Sequence, residues 1–265
     1  MITQIGSLPY ESVAKALEYS LKHDIPFLPE LPKKGDLMTD YIRHPGKLSC
    51  LEEFARATNG YPLVKVQGIG PATIVSATKK ELEETKAVQV ASAHISTIVN
   101  ALDARNIILF LDEPSLETAG YDYAKKGMSK EEYEAMGLIS VQYRPAWESL
   151  VDDLKKNVDY SRIILGVHTC GNADWKSLGS LDFLDMISFD ASRYANVFDA
   201  REFHARKKNV AWGIKDYNNI STYIKGDLIT PPCGLANLES QECEQVLGML
   251  KIAKIAVQKK EAELK

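Results

Sequence analysis

The sequence predicts an α/β protein built as a single (β/α)8 TIM barrel over residues 1–265. Three observations lead there. Short β-branched, apolar runs alternate with longer segments of helical period along the whole chain. Eight such runs can be picked out, the number a closed barrel requires. Polar and metal-ligating residues stand at the carboxyl ends of those runs, where a barrel gathers its chemistry.

In chain order, the first strand is expected at Thr3–Leu8, ending on Ser7, and is followed by a helical pattern over Tyr10–Lys22. The second strand, Pro26–Leu31, carries Glu30 at its end and leads into a helix at Leu51–Thr58. The third, Leu63–Gly68, ends near Gln67 and precedes a long helix at Lys79–Ala104. Ile107–Leu111 runs into Asp112 and Glu113, and the helix after it spans Lys130–Asn157. Arg162–Val167 delivers His168 and Cys170 and is followed by a short helix near Trp175. Met186–Phe189 ends at Asp190 and is followed by a helix at Phe198–Lys208. Val210–Ile214 and Leu228–Thr230 complete the set. The latter reaches Cys233 before a last helix from Ser240 to about Glu261. An open, doubly wound sheet would prefer a glycine-rich phosphate loop after its first strand. Gly6-Ser-Leu-Pro9 does not supply G-x-G-x-x-G, and Gly68-Ile-Gly-Pro71 is too short a match.

Composition bounds the function. With 45% hydrophobic and 26% charged residues, a 265-residue chain can bury one large core. A net charge of −4 gives no global basic field, which argues against a nucleic-acid binder acting through phosphate neutralisation. No apolar run approaches the roughly 20 residues of a membrane-spanning helix, and the expected location is the cytoplasm. There a reducing environment keeps the four cysteines as thiols available to metal.

The soft ligands are the most informative residues. In His168-Thr-Cys170 the two side chains leave a strand end on the same side, so both can reach one ion. Cys233 lies between Pro232 and Gly234, a turn that restrains the backbone before the thiol and frees it after. Cys50 and Cys243 fall in helical segments and are read as packing residues, as free cysteine commonly is. His23, His44, His94 and His204 lack partners at ligand spacing and are read as surface or packing residues. Glu113, beside Asp112 and before the strand-ending Pro114, is expected to orient a neighbour. Tyr121, Tyr123 and Trp147 are candidate cleft aromatics, and Gly120–Ser129 is a candidate lid.

Seven short motifs, taken together and in order, carry a resemblance. They are Ile5-Gly-Ser-Leu-Pro9, Pro29-Glu-Leu-Pro32, Gly68-Ile-Gly-Pro-Ala-Thr73, Leu111-Asp-Glu-Pro-Ser-Leu116, His168-Thr-Cys170, Ile187-Ser-Phe-Asp190 and Pro232-Cys-Gly-Leu235. With them the chain resembles the catalytic, carboxyl-terminal barrel of cobalamin-independent methionine synthase. That barrel sits in the superfamily of uroporphyrinogen decarboxylase and the corrinoid-dependent thiol methyltransferases.

The resemblance implies a zinc ion held by His168, Cys170, Asp190 and Cys233. Aspartate stands at the third position where the family has glutamate, one methylene shorter. It also implies that Ser7 and the backbone near Ile5 contact the carboxylate of homocysteine, while Glu30 and Asp112 pair with its ammonium group. Zn²⁺ would hold the substrate thiol as a thiolate, ready to attack an electrophilic methyl group.

Family members of full length carry an extra amino-terminal half that helps bind methyltetrahydrofolate. This chain opens directly on the catalytic motif and resembles the short core versions, for which methylcobalamin or a methylated corrinoid protein is the expected donor. Two rivals stay open on sequence alone. One is a corrinoid-dependent methyltransferase acting on another small thiol such as coenzyme M, and the other is a non-catalytic, corrinoid-binding partner barrel. A uroporphyrinogen decarboxylase role is disfavoured, because that chemistry needs no zinc and calls for several arginines around the porphyrin carboxylates.

Overall fold

Six parallel strands, hydrogen-bonded in strict chain order, form the sheet: β1 (Val64–Ile69), β2 (Ile107–Asp112), β3 (Ile163–Thr169), β4 (Met186–Asp190), β5 (Asn209–Gly213) and β6 (Leu228–Thr230). The computed structural model describes residues 1–78, 82–116 and 143–263. The helices are α1 (Val13–Ser20), α2 (Met38–Arg43), α3 (Leu51–Ala57), α4 (Pro71–Ala77), α5 (Glu84–Ala101), α6 (Arg144–Asn157), α7 (Trp175–Gly179), α8 (Ala191–Tyr194), α9 (Ala200–Ala205) and α10 (Ser240–Glu263). The first parts of two expected helices, at 79–81 and 130–142, the candidate lid Gly120–Ser129, and Tyr121 and Tyr123 lie outside the described residues.

The expected closed eight-strand TIM barrel is not what the chain forms. Among the described residues the regular sheet has six strands, and the segments at or beside the first two expected strands make isolated parallel bridges instead: Ile2 with Ile229, Ser7 with Glu30, and Phe27 with Lys65. The backbone explains why. Pro26 and Pro29 have no N–H to donate to a ladder, and Gly6, at φ +153, departs from the pleat of an L-residue strand. What pairing remains is discontinuous: Leu28 N–H donates to the Lys65 carbonyl, Lys65 N–H to that of Pro26, and Glu30 N–H to that of Gly6.

Alternation along the strands sorts the core into two faces. In β2, Ile107, Leu109 and Leu111 join the large helix-facing cluster, whereas Ile108 and Phe110 join a smaller one with Ile25, Met186, Ala211 and Leu228. On that second face the strands carry apolar residues toward their amino ends and polar residues toward their carboxyl ends. Asp112 follows Phe110, His168 follows Ile164 at a spacing of four, and Ser188 follows Met186. The same parity puts Lys65 and Gln67 of β1 there, flanked by Val64 and Val66 of the helix-facing cluster. Two local devices fix the frame. The Arg162 guanidinium donates to the carbonyls of Val99, Leu102 and Ala104, closing the carboxyl end of α5. The fully buried Asp227 carboxylate accepts from Val210 N, Trp212 Nε1 and Ile224 N, tying β5 to the turn before β6. No helix among the described residues is long and apolar enough to cross a membrane.

Candidate metal centre

Three soft ligands meet at the carboxyl end of the sheet. His168, Cys170 and Cys233 place one ligand atom each within 4.8 Å of one another, a group that could hold a metal ion. Cys170 Sγ lies 3.3 Å from His168 Nε2 and 3.2 Å from Cys233 Sγ. The other ring nitrogen of His168, Nδ1, lies 2.9 Å from Ser188 Oγ on the neighbouring strand.

Backbone contacts aim these side chains. His168 sits on β3 opposite Asp112 of β2 and Ser188 of β4, and its carbonyl accepts from Glu113 N at 2.9 Å. Cys233 lies in the turn after β6. That turn is anchored where Leu235 N donates to the Ser7 carbonyl at 2.8 Å. A Cβ on Gly234 would fall on the Ser7 hydroxyl, so the turn needs glycine to come this close.

The electrostatics favour thiolate at Cys233. Its pKa is pushed down to about 4, first by hydrogen bonding with Cys170 and then with His168, against the upward push of burial. His168, nearly inaccessible, is driven toward the neutral imidazole by desolvation. A thiolate and a neutral imidazole are the protonation states a metal requires of them.

The cluster opens on a cavity of about 210 Å³ whose lining includes Ser7, Glu30, Asp36, Tyr41 and Asp112. Among the described residues, no lysine or arginine lines it. Glu30 and Asp112 retain some access through the cavity, yet protein surrounds both. Desolvation raises both carboxyls, and Lys65 pulls in the opposite direction. Asp112 Oδ1 has no hydrogen-bond partner among the described residues. Asp36 has structural work, accepting from Leu31 N at 2.7 Å and from the Ser49 hydroxyl at 2.9 Å. On the far side of the Cys233 turn a second cleft of about 490 Å³, walled by Pro232, Leu235, Val246 and Met249 among others, shares Cys233 and Gly234 with this cavity.

Not every expected site residue joins the group. Asp190 lies at the end of β4, outside the three-ligand group. Its Oδ1 caps α8, accepting from Ser192 N at 3.0 Å and from the Ser192 hydroxyl at 2.5 Å. Ile5 lines the cavity, but its carbonyl is engaged by the Lys65 ammonium. Trp147 is no cleft aromatic: it is fully buried and donates through Nε1 to Glu113 at 2.8 Å. Glu113 in turn accepts from Ala72 N, Thr73 N and the Thr73 hydroxyl, holding the start of α4 against the end of β2.

Sequence reasoning missed Lys65, Ser188 and Tyr41. The first two had a legible signal, a polar residue at alternate positions between apolar ones in Val64-Lys-Val-Gln67 and Met186-Ile-Ser-Phe189. Comparison with protein-family models and with curated proteins finds no match to the chain.

Proposed function

We propose that the protein is a zinc-dependent methyltransferase that moves a methyl group to the thiol of homocysteine, giving methionine, with methylcobalamin or a methylated corrinoid protein as donor. One juxtaposition carries this reading: a three-ligand His/Cys/Cys group at one wall of a small cavity, and two half-buried carboxylates, Glu30 and Asp112, lining the same cavity.

The ligand set suits zinc doing chemistry. Structural zinc sites are closed by four protein ligands, whereas catalytic ones keep three and leave a position for substrate. His168, Cys170 and Cys233 supply three. A bound Zn²⁺ would supply Lewis acidity, holding a substrate thiol of ordinary pKa about 8.5 as thiolate at neutral pH.

The chain's own residues then select and orient the acceptor. Glu30 and Asp112 receive its ammonium group. At about 4 Å a charge pair is worth about 1 kcal/mol in water but about 4 kcal/mol at the effective dielectric of about 20 that suits protein sites. The Ser7 hydroxyl, on the cavity-lining segment pinned to the Cys233 turn, would donate to the carboxylate. A cavity of about 210 Å³ admits an amino-acid-sized thiol.

The charge of the described lining supports an amine-bearing acceptor. A thiol sulfonate such as coenzyme M calls for basic groups, and among the described residues the cavity lining offers three carboxylates and no lysine or arginine. The test is methionine formation by the zinc-loaded protein from homocysteine and methylcobalamin, with His168→Ala as control. Product that vanishes in the variant supports the reading. A zinc-loaded protein that forms no product with methylcobalamin or a methylated corrinoid protein overturns it.

A further inference from the structure

The hydroxyl of Ser188 touches the imidazole of the candidate metal centre. Ser188 stands opposite His168 in the β3–β4 register, is fully buried, and places Oγ 2.9 Å from Nδ1. The other nitrogen, Nε2, faces the Cys170 sulfur at 3.3 Å. The ring is thus held edge-on between a hydroxyl on one side and the sulfur pair on the other.

We infer that Ser188 is a positioning residue for metal binding, fixing His168 so that Nε2 faces the sulfur pair when the centre is empty and is the coordinating nitrogen when it is loaded. This rests on the metal reading of the His168, Cys170 and Cys233 group.

The choice of a hydroxyl has a physical consequence. An imidazole presents one N–H and one lone pair, whereas a serine hydroxyl can either donate or accept. Without metal, Nε2–H points at sulfur and the Ser188 hydroxyl donates to Nδ1. With metal, Nε2 gives its lone pair to the ion, the ring proton resides on Nδ1, and Nδ1–H donates to Ser188 Oγ. The imidazole is neutral in both states, and the hydroxyl reverses by rotating about Cβ–Oγ. A carboxylate or a backbone carbonyl can only accept, so it would serve the second state alone.

Competition with a chromophoric chelator for Zn²⁺ and Co²⁺, followed for wild type, Ser188→Ala and Ser188→Thr, tests this without any assay of turnover. The expected result is about a 10- to 100-fold loss of affinity in Ser188→Ala, the usual cost of removing an outer hydrogen bond to a metal-bound histidine, with recovery in Ser188→Thr. Nitrogen-15 spectra of the zinc-loaded wild type provide a second readout, with the proton expected on Nδ1 and the metal on Nε2. Wild-type affinity in Ser188→Ala, or metal on Nδ1, overturns the inference while leaving the metal centre in place. Failure of the wild type to bind either ion removes the metal reading itself, and this inference with it. Should Ser188→Ala not fold, the wild-type spectra decide alone.

Discussion

Cys170 and Cys233 are separated by 63 positions in the chain, yet their sulfur atoms lie 3.2 Å apart. One thiol follows the end of β3 and the other the end of β6, and the turn holding Cys233 is pinned to Ser7 at the start of the chain. Two sulfurs brought this close beside an imidazole could hold a metal ion without further rearrangement, since the cost of gathering the ligands is met during folding.

Each member of the group is therefore expected to matter to affinity. His168→Ala, Cys170→Ala and Cys233→Ala should each weaken Zn²⁺ binding by at least about 100-fold, more than the loss of an outer hydrogen bond. Cys50→Ala should leave it unchanged, because that thiol is wholly buried elsewhere. Chelator competition on the four variants measures this.

Asp190 offers a sharper discrimination. With its carboxylate capping α8 through Ser192, Asp190→Asn should leave metal stoichiometry at one and change affinity less than about 10-fold. Asn keeps a capping oxygen for Ser192 N, so the stability cost of about 1 kcal/mol that comes with losing the cap is expected in Asp190→Ala instead. A drop in affinity comparable to that of Cys233→Ala would make Asp190 a fourth ligand.

Much of this was legible in the sequence, and the reasons are specific. Six strands fall within about two residues of their expected positions, because Val, Ile, Leu and Phe alternate faces in runs such as Ile107–Asp112. The His-x-Cys pair and the Pro-Cys-Gly turn converge because both follow strand ends of a parallel sheet. The closed barrel failed as an expectation because hydrophobic period says nothing of missing donors: Pro26 and Pro29 leave an extended segment that pairs only in places. The helix at Pro71–Ala77 was passed over although Pro71 sits at its first turn, where proline is favoured. The Asp190 side chain could not be assigned from spacing, since a strand-end aspartate serves equally as ligand or as cap, and Ser192 two residues on is what decides its contacts.

Glu30 makes the metal-free protein pH-sensitive. Burial raises its pKa from 4.5 to about 7, so between those values the native state binds more protons than the unfolded chain and stability falls as pH rises. Glu30→Gln removes that cost. At pH 8 the metal-free variant should be more stable than wild type by about 1 to 3 kcal/mol. Below pH 4 the two should differ little. Urea unfolding at both pH values checks the sign, and the same variant should bind homocysteine more weakly.

Glu113 holds β2, α4 and α6 together through one buried carboxylate. Glu113→Ala leaves the Thr73 amide and the Trp147 indole N–H without acceptors, and should cost about 2 to 4 kcal/mol in unfolding free energy. Trp147→Phe, which removes only one donor, should cost less. Denaturant titration of the two variants orders them.

Under the proposed function, the three-ligand centre presents an open position to a substrate thiol. The most direct test is the visible and near-ultraviolet spectrum of the Co²⁺-loaded protein as homocysteine is added. A tetrahedral cobalt centre with two protein thiolates should gain sulfur-to-cobalt charge-transfer absorption, saturating at one homocysteine per metal, and Glu30→Gln should shift the saturation to higher concentration. A spectrum that does not change on adding homocysteine would contradict the account.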